Sequence, residues 1–550
     1  MTDPSGTTDE LGAPARNAWA GEVPVALLSA SICVMALLVF AGVTLRPYAT
    51  MGTWALSLFL AAGGFLLTPT RGVGRTLCAI AVVLSLVIPA TISPAQAVGD
   101  WPEYYLYETS VLTHLSLDQR RPQDEDIYKA EAASEGMDTT PGLRMMTTTG
   151  KIYPYHFWLS SLAVTPVGLV LKLAGLHWLR AFAIVNGLLI ALAFFSLALW
   201  SGFRDSTRRL VAAFWVLSPV TWYLGWPSAE VWSAAFVVFG IVAFTRKRRA
   251  LAVLLISLAA AQNPPLLVVV GLMAVVGVVE KLRTREWFAA GLVAAACIPA
   301  FSSNLFYLMT FGTPNLIISQ GEAGWQFVSV LRMFSFYLDL SQGIAPYAPV
   351  LVVGWLGATV LAVRRRNWSV LAFSGGTVLV TMLTAMGGDW GSGCIGIIRW
   401  AVWQLPVLAW IVAETLEAEP GMRWGAPVLV AGQAVVALAV LIYPAYAPDH
   451  LTHGPIAKAV LNTAPQLYSP EPDIFFDRTN HYEVSDSYEN VLALPTEPAV
   501  YRNPQGRVMK VLFPESGIAT AAAQAGVPVS VLRQKMYDAG RPGLYYVDRP

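Results

Sequence analysis

Charge is what this sequence has least of. Asp, Glu, Lys and Arg make up 13% of 550 residues and nearly cancel, leaving a net +1. So small a charged fraction does not solvate a soluble protein of this length, and the near-neutral balance leaves no basic footprint for nucleic acid. Cysteine is scarce as well. Cys33, Cys78, Cys297 and Cys394 lie in or beside apolar stretches without paired spacing, which argues against a disulfide framework and a zinc site. The opening residues 1–22, MTDPSGTTDELGAPARNAWAGE, lack the basic n-region of a cleaved signal and read as a disordered cytoplasmic tail ahead of a retained first span. Internal repeats and polar groups at mid-span, the marks of a transporter, are missing too.

What the chain has instead is apolar length. Hydrophobic residues are 55% of it, the mean hydropathy is +0.54, and apolar runs recur from end to end. Runs of about 20 such residues span a bilayer as helices, so the expected class is a polytopic all-α membrane protein. Short basic clusters set its orientation. RKRR at 246–249, KLRTR at 281–285, RRR at 364–366, FRDSTRR at 203–209 and the loop of Arg71 and Arg75 belong in the cytoplasm by the positive-inside tendency. Parity then places the N-terminus inside, the C-terminus outside and roughly thirteen crossings between them. Residues 153–175 are long enough to cross but are forbidden by parity. They are expected on or dipping into the outer leaflet, with Pro166 interrupting an interfacial helix. Residues 250–280 fit a short hairpin whose tip is AQNPP, which leaves Gln262 and Asn263 at the outer face.

Three regions follow: the tail 1–22, a transmembrane region 23–445 with external loops 99–155 and 311–345, and an external domain 446–550. Within the second loop, WQFVSVLRMFSFYLDL puts Phe327, Val330, Leu331, Phe334 and Leu338 on one helical face and Ser329, Arg332 and Asp339 on the other. Such a helix lies flat on a membrane. In the last region, VYRNPQGRVMKVLF predicts a β-hairpin turned at 503–506. IATAAAQAGVPVSVLRQKMYDAG has the spacing of a helix-turn-helix but few basic residues, so it is read as an ordinary helical pair in a small α/β domain.

Several stretches on the outer side are similar to a known family. GDWPEYY, followed by LSLD, resembles the GDEPxYL first external loop of the GT-C superfamily of membrane glycosyltransferases, which use polyprenyl-phosphate sugars. GKIYPYHFWLSSLAVTPVGLVLKLAG with LHWLRAFAIVNGLL, then LSPVTWYLGWPSAEVWSAAF, NLFYLMTFGTPN, GIAPYAPVLVV and GGDWGSGCIGIIRWAVWQLP resemble its later motifs in the same order, over residues 98–406. Three positions depart from the pattern. Trp101 separates Asp100 from the next acid, Glu103; Gln262 and Asn263 stand where a basic residue is common; and Ile398 replaces proline before Arg399.

The resemblance implies an inverting sugar transfer at the outer face of a cell-envelope membrane. The donor is a polyprenyl-phosphate sugar, the acceptor a glycan, lipid or protein, and the bilayer itself is a partner. A carboxylate takes the acceptor's proton, typically worth about 10² to 10⁴ in rate. Asp100 is the first candidate for this base and Glu103 the second, with helix capping ahead of Pro102 as the other role open to Asp100. The leaving phosphate calls for Arg or Lys. Arg399, Lys151 and Arg332 all sit outside against the positive-inside tendency; each is a phosphate ligand or a snorkelling headgroup anchor. Glu230 opens an apolar span and either meets a polar partner or marks a helix start with Ser228. His156 and Tyr153 are substrate contacts or interfacial-belt residues. No cofactor is called for. Asp124, Glu125 and Asp126 are the one place for a divalent ion, and such a run is more often a solvated loop. The competing readings are a lipid or glycan transporter or flippase, and a non-catalytic relative that binds a lipid-linked glycan.

Overall fold

The computed structural model describes residues 47–68, 73–92, 100–139, 142, 144–391, 393–419, 425–483 and 497–550, with Leu27, Ala30, Ser31 and Val34. The tail 1–22 lies outside the described residues. The chain is mostly helical and divides into two compact units, Met1–Ser85 and Leu86–Pro550. In the first unit, Ser57 hydrogen-bonds Ser31 at 3.1 Å and Ser85 at 2.8 Å, so hydroxyls between apolar helices satisfy one another.

Among the described residues, four helical segments are long and apolar enough to cross a membrane by length and composition, Val73–Thr91, Trp178–Trp200, Pro264–Arg283 and Trp287–Phe311, and six further apolar helices, among them Leu159–Leu173, Glu230–Thr245 and Trp368–Thr384, are shorter, at 10–17 residues. Most residues of Trp178–Trp200 are buried and few of Trp287–Phe311 are, so the first is a core element and the second presents apolar side chains such as Phe288 and Met309 outward. An exposed apolar face of that kind suits lipid.

The hairpin expected at 250–280 is present. Arg249–Gln262 and Leu267–Arg283 are joined by the 3₁₀ turn Pro264–Leu266, and at the open end Arg249 Nε donates to Glu280 Oε2 at 2.8 Å. The 153–175 stretch differs from expectation. It begins at the end of the short strand Ile152–Pro154 and continues as an unbroken helix, Leu159–Leu173, that contains Pro166. Pro166 has no N–H for the Leu162 carbonyl, and just before it the Thr165 hydroxyl adds a bond to the Ser161 carbonyl at 2.9 Å.

The second loop corrects another expectation. The helix Val330–Leu338 does expose Val330, Phe334 and Leu338. Its polar face, however, turns inward. Arg332, Ser335 and Asp339 are buried because partners wait for them there, and Arg332 does not snorkel.

Beyond residue 446 lies a four-stranded sheet in the order Ala499–Arg502, Val508–Pro514, Leu544–Asp548, Tyr537–Asp538, with antiparallel neighbours. The hairpin turns at 503–506, with Gly506 at φ +78°. Alternation along one strand builds two layers. Val511 and Phe513 pack on Ala521, Ala522 and Leu532 of the helices Ile518–Ala525 and Val529–Lys535. Leu512 faces the other way, onto Leu461, Phe475 and Phe476 of Pro455–Thr463 and Pro472–Asn480. The helix-turn-helix spacing is thus a pair covering a sheet.

Candidate active site

The helix Trp101–His114 is buried from Trp101 to Val111. Pro102 in its first turn fixes the start. Asp100 occupies the N-cap position, yet its side chain makes no capping hydrogen bond. The carboxylate faces Arg399 instead. Arg399 Nη1 donates to Asp100 Oδ2 at 2.6 Å, across 299 positions of sequence. His156 Nε2 lies 3.3 Å from the same oxygen, and its Nδ1 is 2.8 Å from Glu103 Oε2, which also accepts the His156 amide at 2.7 Å. The row runs Arg399, Asp100, His156, Glu103.

Each member is held in place. Tyr107 donates to the Pro154 carbonyl at 2.9 Å and Tyr307 to the His156 carbonyl at 2.6 Å, tying the 154–156 backbone to two helices. Arg399 follows a glycine turn in which Gly393 and Gly396 have φ of +47° and +67°, a backbone that side chains disfavour. A two-residue ladder, Cys394–Ile395 with Ile397–Ile398, then delivers Arg399 to the start of the next helix.

Electrostatics sort the two carboxylates. Burial alone would raise Asp100, but the Arg399 guanidinium, followed by His156, outweighs it and holds the group down at about 2. Burial raises Glu103, with His156 opposing. Burial would lower His156, yet Asp100 and Glu103 lift it to about 9, so the ring is an imidazolium at neutral pH. Arg399 is moved up, against its burial, by Asp100 and then Glu230. Asp100 has a side chain 24% exposed while that of Glu103 is 3% exposed. Of the two acids, then, Asp100 can meet an incoming hydroxyl, and Glu103 orients the ring behind it.

The other candidates separate. Glu230 is buried, accepts from the Ser228 hydroxyl and acts on Arg399, so it belongs to the cluster. Gln262 holds the loop, its amide donating to the Phe157 carbonyl at 2.8 Å and accepting from the Ser160 amide at 3.1 Å. Asn263 donates to Ser233 Oγ at 2.6 Å. Tyr153 is packed edge-on against Phe306 and Phe311, and Lys151 is exposed beside the 147–150 turn. Arg332 is 1% exposed and pairs with Glu471 and Asp473, each at 3.1 Å. The acids 124–126 open the helix Gln123–Ser134 instead of forming a loop. Asp124 accepts from the Arg120 amide at 2.6 Å and is 2.9 Å from His114 Nε2, while Glu125 pairs with Arg121, Lys129 and Arg144. Among the described residues no group of three or more His, Cys, Asp or Glu is arranged to hold a metal.

Two residues at the site carried no sequence signal. Glu322 is raised by burial, with the His156 charge opposing, so another carboxylate acts electrostatically on the ring. Tyr223 donates to the Ile397 carbonyl at 2.6 Å and accepts the Ile395 amide at 3.2 Å, bracing the strand before Arg399. An isolated Glu in a glycine-flanked loop and a Tyr among many give no periodicity or spacing to read.

Fold and site together define a mostly helical protein with apolar helices of membrane-spanning length, a small C-terminal sheet region and a partly buried carboxylate, imidazolium and guanidinium cluster. No family model, curated protein or solved structure matches the chain.

Proposed function

We propose that this chain is an inverting membrane glycosyltransferase of GT-C type that moves a sugar from a polyprenyl phosphate to an acceptor at the outer face of the membrane. The observation that carries the reading is the 2.6 Å pair of Asp100 and Arg399. The residues put forward separately as base and phosphate ligand meet, although 299 positions separate them. In the proposed step the acceptor oxygen bonds to the anomeric carbon as the bond from that carbon to the phosphate oxygen breaks. The acceptor proton passes to Asp100 on one face of the sugar and polyprenyl phosphate leaves from the opposite face, so Arg399 releases Asp100 to donate to the phosphate oxygens there.

The pair also explains how a weak base becomes adequate. With Arg399 fully on Asp100 the carboxylate sits at about 2 and accepts protons poorly. A donor phosphate draws the guanidinium toward itself, which returns basicity to Asp100 only when substrate is present. His156 and Glu103 keep the carboxylate aimed. The proposed topology has an internal N-terminus, roughly thirteen crossings counting short helices, and an external C-terminal domain.

The direct test is incubation of the purified protein with a panel of polyprenyl-phosphate sugars, scored for released polyprenyl phosphate. Release by the wild type but not by Asp100→Asn supports the reading, and no release with any donor overturns it. One specific observation favours a second reading. Asp100 is already engaged by two cations, as in a protein that binds a lipid-linked glycan without turnover. Saturable donor binding with no release would identify that case.

A further inference from the structure

The glycine turn that carries Arg399 is gripped from the C-terminal segment, and the grip converges on one side chain. Gln342 sits after the second-loop helix with its own amide held by Asp339 Oδ1 at 3.0 Å. Its side-chain amide donates to the Trp390 carbonyl at 2.9 Å, near the start of the turn. Its backbone carbonyl accepts the Ile398 amide at 2.7 Å, one residue before Arg399. The remaining oxygen of the same side chain accepts from Arg478 Nη2 at 2.7 Å, and that nitrogen lies 3.3 Å from Cys394 Sγ in the turn itself. Arg478 belongs to Pro472–Asn480, the helix under the C-terminal sheet. Farther back, Arg332 donates to the carbonyls of Gly387 and Gly388 while pairing with Glu471 and Asp473. Arg541, from the loop before the last strand, pairs with the same two acids at 2.8 Å and 2.6 Å. The Gly396 amide donates to the Pro448 carbonyl at 2.7 Å.

A turn with two left-handed glycines is free to adopt many conformations by itself. The bonds that hold its backbone directly come from Gln342, Arg332, Tyr223 and Pro448, and behind Gln342 and Arg332 stand Arg478, Glu471 and Asp473 of the C-terminal segment. We infer that the C-terminal segment is a positioning element for the active site: Arg478, acting through Gln342, sets the register of the turn and thereby holds the Arg399 guanidinium on Asp100. This rests on the function proposed above for what Arg399 does, but the mechanical part is separable from it. Arg478 and Gln342 touch neither Asp100 nor any reacting atom.

The experiment compares full-length Arg478→Met, Arg478→Lys and Gln342→Met with wild type, alone and combined with Arg399→Ala. Two quantities are read: amide hydrogen exchange over 393–398, and KM and kcat for a polyprenyl-phosphate sugar. Arg478→Met should speed exchange at Gly396 and Ile398 and lower kcat/KM by on the order of 10²-fold, the usual penalty for a misplaced group. Arg478→Lys, which can still donate to Gln342, should restore much of both. Added to Arg399→Ala, Arg478→Met should cost almost nothing more, because what it positions is already gone. Gln342→Met leaves Arg478 its other partners and serves if Arg478→Met does not fold. Unchanged exchange in both variants overturns the inference. So does a loss that multiplies with that of Arg399→Ala, since it would be a general loss of structure. If the wild type turns over no polyprenyl-phosphate sugar, the proposed function fails while the exchange measurement alone still decides the mechanical role.

Discussion

At the residue scale, Asp100 has a position that suggests one role and a geometry that supports another. It stands at a helix N-cap but bonds Arg399 and not the helix. Asp100→Asn therefore keeps the shape and removes the proton acceptor. Turnover should fall by about 10² or more, with the fold retained as judged by thermal melting. Near-normal turnover would make the carboxylate structural. Glu103→Gln should be milder in turnover, and it should bring His156 down from about 9 toward its ordinary 6.5, because one of the two acids that lift it is lost.

The sign of that shift sets a pH dependence. His156 is raised on folding, so the stability it supplies is complete below about 6.5 and is lost as pH rises through about 9. Asp100 is depressed, so its contribution is present above 3.8 and disappears as pH falls toward about 2. Melting temperature followed across this range should decline on the alkaline side in the wild type and hardly at all in His156→Gln. A parallel decline in both would assign it to another group.

At the scale of elements, the second-loop helix shows how an amphipathic pattern can be read correctly and assigned to the wrong neighbours. Val330, Phe334 and Leu338 are outward as the period requires, while Arg332 meets Glu471 and Asp473 from 139 and 141 positions away. Removing one partner from a buried ion network leaves the others uncompensated, which costs about 3 to 5 kcal/mol. Arg332→Ala should accordingly lower the unfolding free energy by that order in chemical denaturation. A headgroup anchor would show no such loss.

At the scale of the whole molecule, the proposed orientation depends on the basic clusters. Ser206, in FRDSTRR, and Gln505, at the tip of the C-terminal hairpin, are both exposed. Single cysteines at these positions, in a chain whose four native cysteines are replaced, should react differently with an impermeant reagent added to intact cells. Gln505→Cys should label and Ser206→Cys should not. Labelling at Ser206→Cys would remove the parity argument and with it the external site.

Local pattern alone determined much of this protein. Apolar runs, the hairpin with its tip at Pro264 and Pro265, the outward face of Val330–Leu338 and the alternating strand at 508–514 are legible because each depends on neighbours a few residues away, through a period of 3.6 or 2. Asp100, His156, Glu103 and Arg399 were legible as candidate types, but not as a row. Only the tertiary structure brought Arg399 onto Asp100 across 299 positions, turned Arg332 from a phosphate ligand or headgroup anchor into a buried pair, assigned Gln262 to the backbone at 157 and 160, and introduced Glu322 and Arg478. The reason is physical. A buried charge in so apolar a chain must find its counter-charge wherever the fold provides one, and no local spacing records which of the few it will be.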